Sequence, residues 1–353
     1  MLKYEFLKIF SNKKNFIIIA ICLVLKIVFS MQLDIDMPEG FNTDVYEYYS
    51  EKLEGEYTKE KHDFIVSEYN RFQELLENEH EYVEAFKSDK IDAKEYKVIS
   101  DDIKSAKNRL KTVEYIVQKS EYYEKQDEQV EYFFDIYHID YVSNMKVDIF
   151  LIIVMLVLIT SIYTDDYYSG TVNMIKSSKN GRKKLFICRL ICNISISMFF
   201  ALCFSLIEFL VKYIKFGMLH MDASIKSLLI MENMEYNLSI AQYVLATSVL
   251  RIFFAVIVGI IIMFVAEKVH TNMGTYLIVM ALVFIPEFIY DSLGVVIGDL
   301  TLAQGLGAYR CFNDYHTVCG VPNILFSVLV YVVIGYMLMV VSLKRESDMQ
   351  SNL

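Results

Sequence analysis

The sequence predicts an all-α membrane protein: six transmembrane helices, with an extracellular helical hairpin between the first two spans. Two observations carry this. Hydrophobic residues make up 55% of the 353 residues and charged residues 22%, and the two kinds are segregated along the chain. Between residues 34 and 146, Asp and Glu outnumber Lys and Arg 29 to 15, whereas the remainder holds 19 Lys and Arg against 15 Asp and Glu. Outside the acidic stretch lie six apolar runs, each near the roughly 20 residues that a bilayer core demands of a helix. This balance excludes a nucleic-acid binder built on a basic surface and a disulfide-dense secreted module. It also speaks against an ordinary cytoplasmic enzyme.

Taken in order, residues 1–12 place Leu2, Phe6, Ile9 and Phe10 along one side of a helix, with Lys3 and Lys8 elsewhere. That is the pattern of an amphipathic helix lying at the membrane interface. Residues 13–33 form the first span, apolar over 16–31 and preceded by Lys13 and Lys14. No small-x-small cleavage site follows it, so it reads as an uncleaved signal-anchor.

Residues 34–146 contain no span and form the acidic helical domain. Ile65, Tyr69, Phe72, Leu76, Val83 and Phe86 recur at helical spacing, and so do Ile99, Ile103, Ala106, Leu110, Val113 and Val117. Two such seams predict an antiparallel pair of helices. Asp92 with Glu95 reads as a capping box at the start of the second. Gly40 and Gly55 break the ascending arm. The aromatic run 132–141 is expected at the membrane surface. The acidic charge fits either a solvated helical arm or a surface that attracts or blocks cationic peptide.

Residues 147–343 hold five further spans, at 147–163, 185–211, 243–266, 273–290 and 324–343. An inner loop, 164–184, and two outer loops, 212–242 and 291–323, connect them, and 344–353 is a tail. Lys and Arg in the short flanks number thirteen on one side and four on the other. The positive-inside rule then puts both termini in the cytoplasm of a multi-pass cell-membrane protein.

Residues 164–189 read TDDYYSGTVNMIKSSKNGRKKLFICR. Asp166 stands four residues before Gly170-Thr171. Val172, Met174 and Ile175 follow as apolar knobs, and Arg182 opens a basic cluster before the next span. This segment, with the interfacial first helix and the large outer insertion, resembles the intracellular coupling loop and architecture of ABC type-2 exporter permeases. The resemblance implies that Asp166, Gly170, Thr171, Val172, Met174, Ile175 and Arg182 dock a separate ATPase subunit. It also implies a second permease subunit, as homo- or heterodimer, within membrane lipid and with no nucleic acid. The chain itself has no G-x-x-x-x-G-K-[ST] motif, no HExxH, no CxxC pair and no catalytic constellation. It is expected to need no cofactor of its own, with ATP and Mg held by the partner. The function implied is export of an amphipathic, cationic peptide or a small hydrophobic compound, with resistance as its physiological counterpart. Two alternatives stay open: an ABC-type mechanotransmission or sensor permease, and an ATP-independent membrane immunity protein.

Four ionisable residues fall inside spans: Lys26, Glu208, Arg251 and Glu287. Charges there are costly and are usually paired or functional. Arg251 needs an anion, and Glu208 or Glu287, after Pro286, can supply it. Cys311 and Cys319 lie in the last outer loop at a spacing that permits a disulfide but does not match a zinc site.

Overall fold

A computed structural model describes residues 2–33, 35, 37–88, 90–126, 129–143, 148–170, 181–293, 301–307, 312, 316–318 and 320–351. The described residues are about 80% helical. Among the described residues, five helices are long and apolar enough to cross a membrane: α8 (Ile149–Tyr168), α9 (Gly181–Phe216), α10 (Ile240–Val269), α11 (Asn272–Leu293) and α13 (Asn323–Ser351). This fits an all-α, multi-pass membrane protein. The remaining expected span, the first in the chain, lies in α2 (Lys13–Ser30). It carries Lys13, Lys14 and Lys26 in 18 residues and does not reach the same mark by composition. The third apolar run extends beyond the expected 185–211, because α9 continues on both sides of it.

Helix α10 is the centre of the bundle. It packs against α8, α9, α11, α13 and the short helix α12 (Leu302–Gly307). Its sequence is apolar all round, as a helix surrounded by others requires. Ser239 and Gln242 cap its start reciprocally, and His270 ends it in the left-handed region at φ 58°. The peripheral helices instead present rows of exposed apolar side chains. Examples are Phe16, Val24 and Phe29 on α2, Phe199 and Leu206 on α9, and Leu329, Val333 and Met337 on α13. Such surfaces suit lipid, not water.

The acidic domain builds a second core. Helices α3 (Thr43–Leu53), α4 (Lys59–Glu77), α5 (Glu79–Lys87) and α6 (Ala93–Glu124) follow in order. Asn42, Thr58 and Asp92 cap α3, α4 and α6 by accepting from backbone N–H groups of the first turn. Helices α4 and α5 run back along α6: His62 meets Ser120, Glu79 meets Lys107, and the Phe86 ring stacks on Tyr96 at 4.2 Å. Ile65, Phe72, Ile103, Ala106, Val113 and Val117 are buried. The arm is not one continuous helix, because Asn78 ends α4 and starts α5.

Gly40 and Gly55 adopt positive φ, at 86° and 96°. Gly55 opens a two-residue strand, β1 (Gly55–Glu56), paired antiparallel with β2 (Glu131–Tyr132). Helix α7 (Ile136–Ser143) then leads back to the bundle. The aromatic run 132–141 lies where the two cores meet, and much of it is buried within the protein. Tyr132 and Ile136 belong to the acidic domain's core, and Phe133, Ile139 and Tyr141 to the bundle's. A second hairpin, β3 (Thr317–Val318) with β4 (Val321–Pro322), precedes α13.

Helices α9 and α10 pack closely at Gly259. The Asn193 amide donates to the Gly259 carbonyl at 2.8 Å, and Ser197 Oγ donates to Asn193 Oδ1 at 3.3 Å. A Cβ at Gly259 would overlap both side chains. Gly259→Ala is expected to destabilise the bundle by about 1–3 kcal/mol, the usual cost of overpacking. The melting temperature in detergent reads this, and Ser197→Ala added to it should recover part of the loss. An unchanged melting temperature for Gly259→Ala would remove the close approach.

Candidate functional site

Buried charge collects at two places. The first lies at the α8 N-terminus. Asp148 caps α8, its Oδ1 accepting from the N–H groups of Phe150 and Leu151 at 3.1 Å each. The positive end of the helix favours a carboxylate there. Its other oxygen lies 2.8 Å from Lys26 Nζ. Lys26 also donates to Glu208 Oε2 at 2.9 Å, and Arg251 Nη1 reaches the same oxygen at 2.9 Å. Arg251 further lies 3.4 Å from Ser205 Oγ and donates through Nε to the Leu306 carbonyl at 3.0 Å. Two cations and two anions thus share one enclosed volume, on helices α2, α8, α9 and α10. Balanced charge with nearly every polar atom engaged is what makes such a group tolerable away from water.

Of the two anions expected for Arg251, the structure brings Glu208 to it. Glu287 accepts from Thr301 Oγ1 at 2.8 Å and pairs with the Gln304 amide. It is therefore linked to the group through α12, whose Leu306 carbonyl Arg251 holds. Sequence reasoning missed Asp148, which stands at the edge of an apolar run and reads as a mere flank.

Two further pairs continue from this group into the acidic domain. Asp140 of α7 pairs with Lys212 of α9, which also donates to the Gln32 carbonyl at 2.8 Å. Asp135 pairs with Lys119 of α6 at 2.6 Å, both side chains almost wholly enclosed. The Tyr46 hydroxyl donates to Asp135 at 2.6 Å, and Lys119 donates to that hydroxyl at 3.1 Å. Burial and the Asp135 charge push the Tyr46 phenol well above its usual range, so it stays a donor. The signal available in the sequence was the acidic residues inside the aromatic run 132–141.

The second place lies at the opposite end of α8. Asp166 pairs with Lys8 of α1 (Leu2–Phe10) at 2.8 Å and with Arg189 of α9. Arg189 also lies 3.7 Å from Glu5 and covers the Tyr163 ring at 5.4 Å. Gly170 follows the helix end with φ 69°, a left-handed position that only glycine holds without strain. Thr171, Val172, Met174 and Ile175, the side chain of Arg182, and Cys311 and Cys319 lie outside the described residues. Cys22, Cys188, Cys192 and Cys203 are free thiols.

Comparison with family models, with curated proteins and with solved structures finds no match.

Breaking a buried pair by removing one partner costs about 3–5 kcal/mol, because the other charge is stranded. Arg251→Met is therefore expected to lower the unfolding midpoint in mixed micelles strongly. Arg251→Met with Glu208→Gln should lie closer to the native chain than Arg251→Met alone, since Lys26 and Asp148 remain a matched pair. Simple additivity of the two substitutions would show that they are not coupled.

Proposed function

We propose that the chain is the membrane subunit of an ATP-driven exporter that moves an amphipathic, cationic peptide or a small hydrophobic compound. It would work beside a separate ATPase subunit and a second permease subunit. The observation that supports this most is the triple junction at Asp166. One carboxylate ties α1, α8 and α9 together at the base of the segment 171–180. A partner pushing on that segment would therefore move three helices at once, not one loop. Both termini lie in the cytoplasm in this proposal, with α2 as a sixth span. The Lys26 charge that weighs against α2 by composition is neutralised by Asp148 and Glu208. The acidic arm made by α4, α5 and α6 then stands outside the cell.

A sensor or mechanotransmission role has one observation in its favour. The acidic domain is bound to the bundle through buried ion pairs, not through a free linker. Movement of cargo into proteoliposomes holding the chain with its ATPase separates the two roles: uptake supports the exporter, and ATP hydrolysis without uptake supports the sensor.

Met174→Asp combined with Ile175→Asp is expected to abolish co-purification of a separate ATPase subunit, while membrane insertion is unchanged. Retained co-purification would remove these residues from the docking surface. For topology, Glu79→Cys with Lys107→Cys in a cysteine-free background should be joined by a short, membrane-impermeant bifunctional reagent added to intact cells. The native side chains there meet at 2.7 Å. No reaction from outside would overturn the placement of the arm.

A further inference from the structure

A cavity of about 270 Å³ opens where the acidic domain meets the ends of α7 and α9. That is slightly below the roughly 300–1,000 Å³ of pockets for drug-sized ligands, so it suits one side chain or head group. Glu51 and Glu54 stand exposed at its rim, and His220, which also lines it, lies 3.7 Å from the Glu54 carboxylate. Its walls are aromatic: Phe134 stands edge-on to Tyr137 at 5.3 Å, and Tyr137 stacks on Phe216 at 4.9 Å.

His138 also lines the cavity and is itself only 2% exposed. Its Nε2 lies 2.6 Å from the Leu219 carbonyl. A carbonyl only accepts, so Nε2 carries the proton. Burial holds the ring below its ordinary pKa, so Nδ1 is a bare acceptor. That Nδ1 has no hydrogen-bond partner and is shut off even from a water molecule, so a donor entering the cavity reaches it by displacing the side chains around it. Buried polar atoms are almost always paired, and an orphan acceptor beside a cavity calls for a donor from outside.

The chemistry narrows the ligand. Two carboxylates at the rim repel an anion. Among the described residues, no group of three metal-ligating side chains converges anywhere. The nearby lysines are already engaged, Lys212 with Asp140 and Lys215 with the Met31 carbonyl. The Phe216 ring already lies 4.9 Å from the Lys215 ammonium and 5.6 Å from that of Lys212, so the wall is compatible with positive charge. A quaternary ammonium would satisfy the carboxylates and the rings but leave Nδ1 unpaired.

We propose that this cavity binds an organic cation that carries N–H groups, a primary ammonium or a guanidinium, between Glu51 and Glu54 and with His138 Nδ1 as its acceptor. Such a group belongs either to a Lys or Arg side chain of a peptide or to an ethanolamine head group. The inference goes beyond the exporter role and does not depend on it, since binding needs no ATPase.

The test uses the full chain in nanodiscs of phosphatidylcholine, with saturation-transfer NMR of n-butylguanidinium, n-butylammonium and tetramethylammonium. The first two are expected to bind saturably and to compete with each other, and tetramethylammonium to bind more weakly. Glu51→Gln with Glu54→Gln, at exposed positions that folding tolerates, should weaken n-butylguanidinium by about tenfold, roughly 1.4 kcal/mol. His138→Leu should weaken it as well. Failure of both amine-bearing cations to saturate would overturn the proposal. So would equal binding of tetramethylammonium, or indifference to the double Glu substitution. Repeating the titration with phosphatidylethanolamine in the nanodisc identifies the natural source. Lost binding of n-butylguanidinium assigns the cavity to the lipid head group, and unchanged binding assigns it to a soluble cation.

Discussion

Asp135, Asp140 and Asp148 lie close together in sequence, and each is buried against a lysine from a different helix: Lys119 of α6, Lys212 of α9 and Lys26 of α2. The segment that carries them is the only direct chain link from the acidic domain into the second apolar run. Its apolar residues divide between the two cores, Ile136 to one, Ile139 and Tyr141 to the other. Hydrophobic burial alone would hold such a segment in place without setting its register. Each ion pair sets it, because a slip by one residue would strand a charge in an enclosed volume at a cost of about 3–5 kcal/mol. These pairs, together with Tyr123 and Glu131 at Ser227 and His138 at the Leu219 carbonyl, hold the acidic domain over the bundle.

What could be read in the sequence followed from periodicity and local chemistry. The helices of the acidic arm were legible because Ile65, Phe72, Ala106 and Val113 repeat at helical spacing, and Asp92 marked the start of α6 through its own first turn. The apolar runs were legible because their length is set by the bilayer and not by a partner. The pairing of Arg251 was narrowed to two anions, because charges are rare in such runs and each one stands out. Glu208 and Glu287 could not be separated without the fold. That choice is made by α12, a short helix without periodic signal, which takes both the Arg251 Nε and the Glu287 carboxylate.

What stayed hidden in the sequence were the partners of buried charges. The run from Tyr132 to Tyr141 has the composition of an interfacial belt, rich in aromatic rings with polar tips. Yet Asp135 and Asp140 within it are paired with Lys119 and Lys212, which no window of sequence around them contains. The same holds for Asp148. As an N-cap it looks ordinary, and only the return of α2 beside α8 makes it half of an ion pair. Long separation in sequence, not weakness of the interaction, hid these residues.

Helix α8 joins the two buried charge groups. At one end its cap, Asp148, is held by Lys26, and near the other end Asp166 is held by Lys8 and Arg189. Its 20 residues span about 30 Å at 1.5 Å per residue. A helix of that length, enclosed along most of its surface and clamped at both ends, moves as a rod more readily than it bends. In the proposed function, a displacement of the Asp166 junction would therefore be delivered to Lys26, Glu208 and Arg251. Of the spanning helices, α9 shares both clamps, through Arg189 at one end and Glu208 at the other. Its contact with α10 at Gly259 leaves no room for the two to slide by a fraction of a side chain. The two clamps couple α8 to α9, and the Gly259 contact couples α9 to α10, so the three helices are held as one unit.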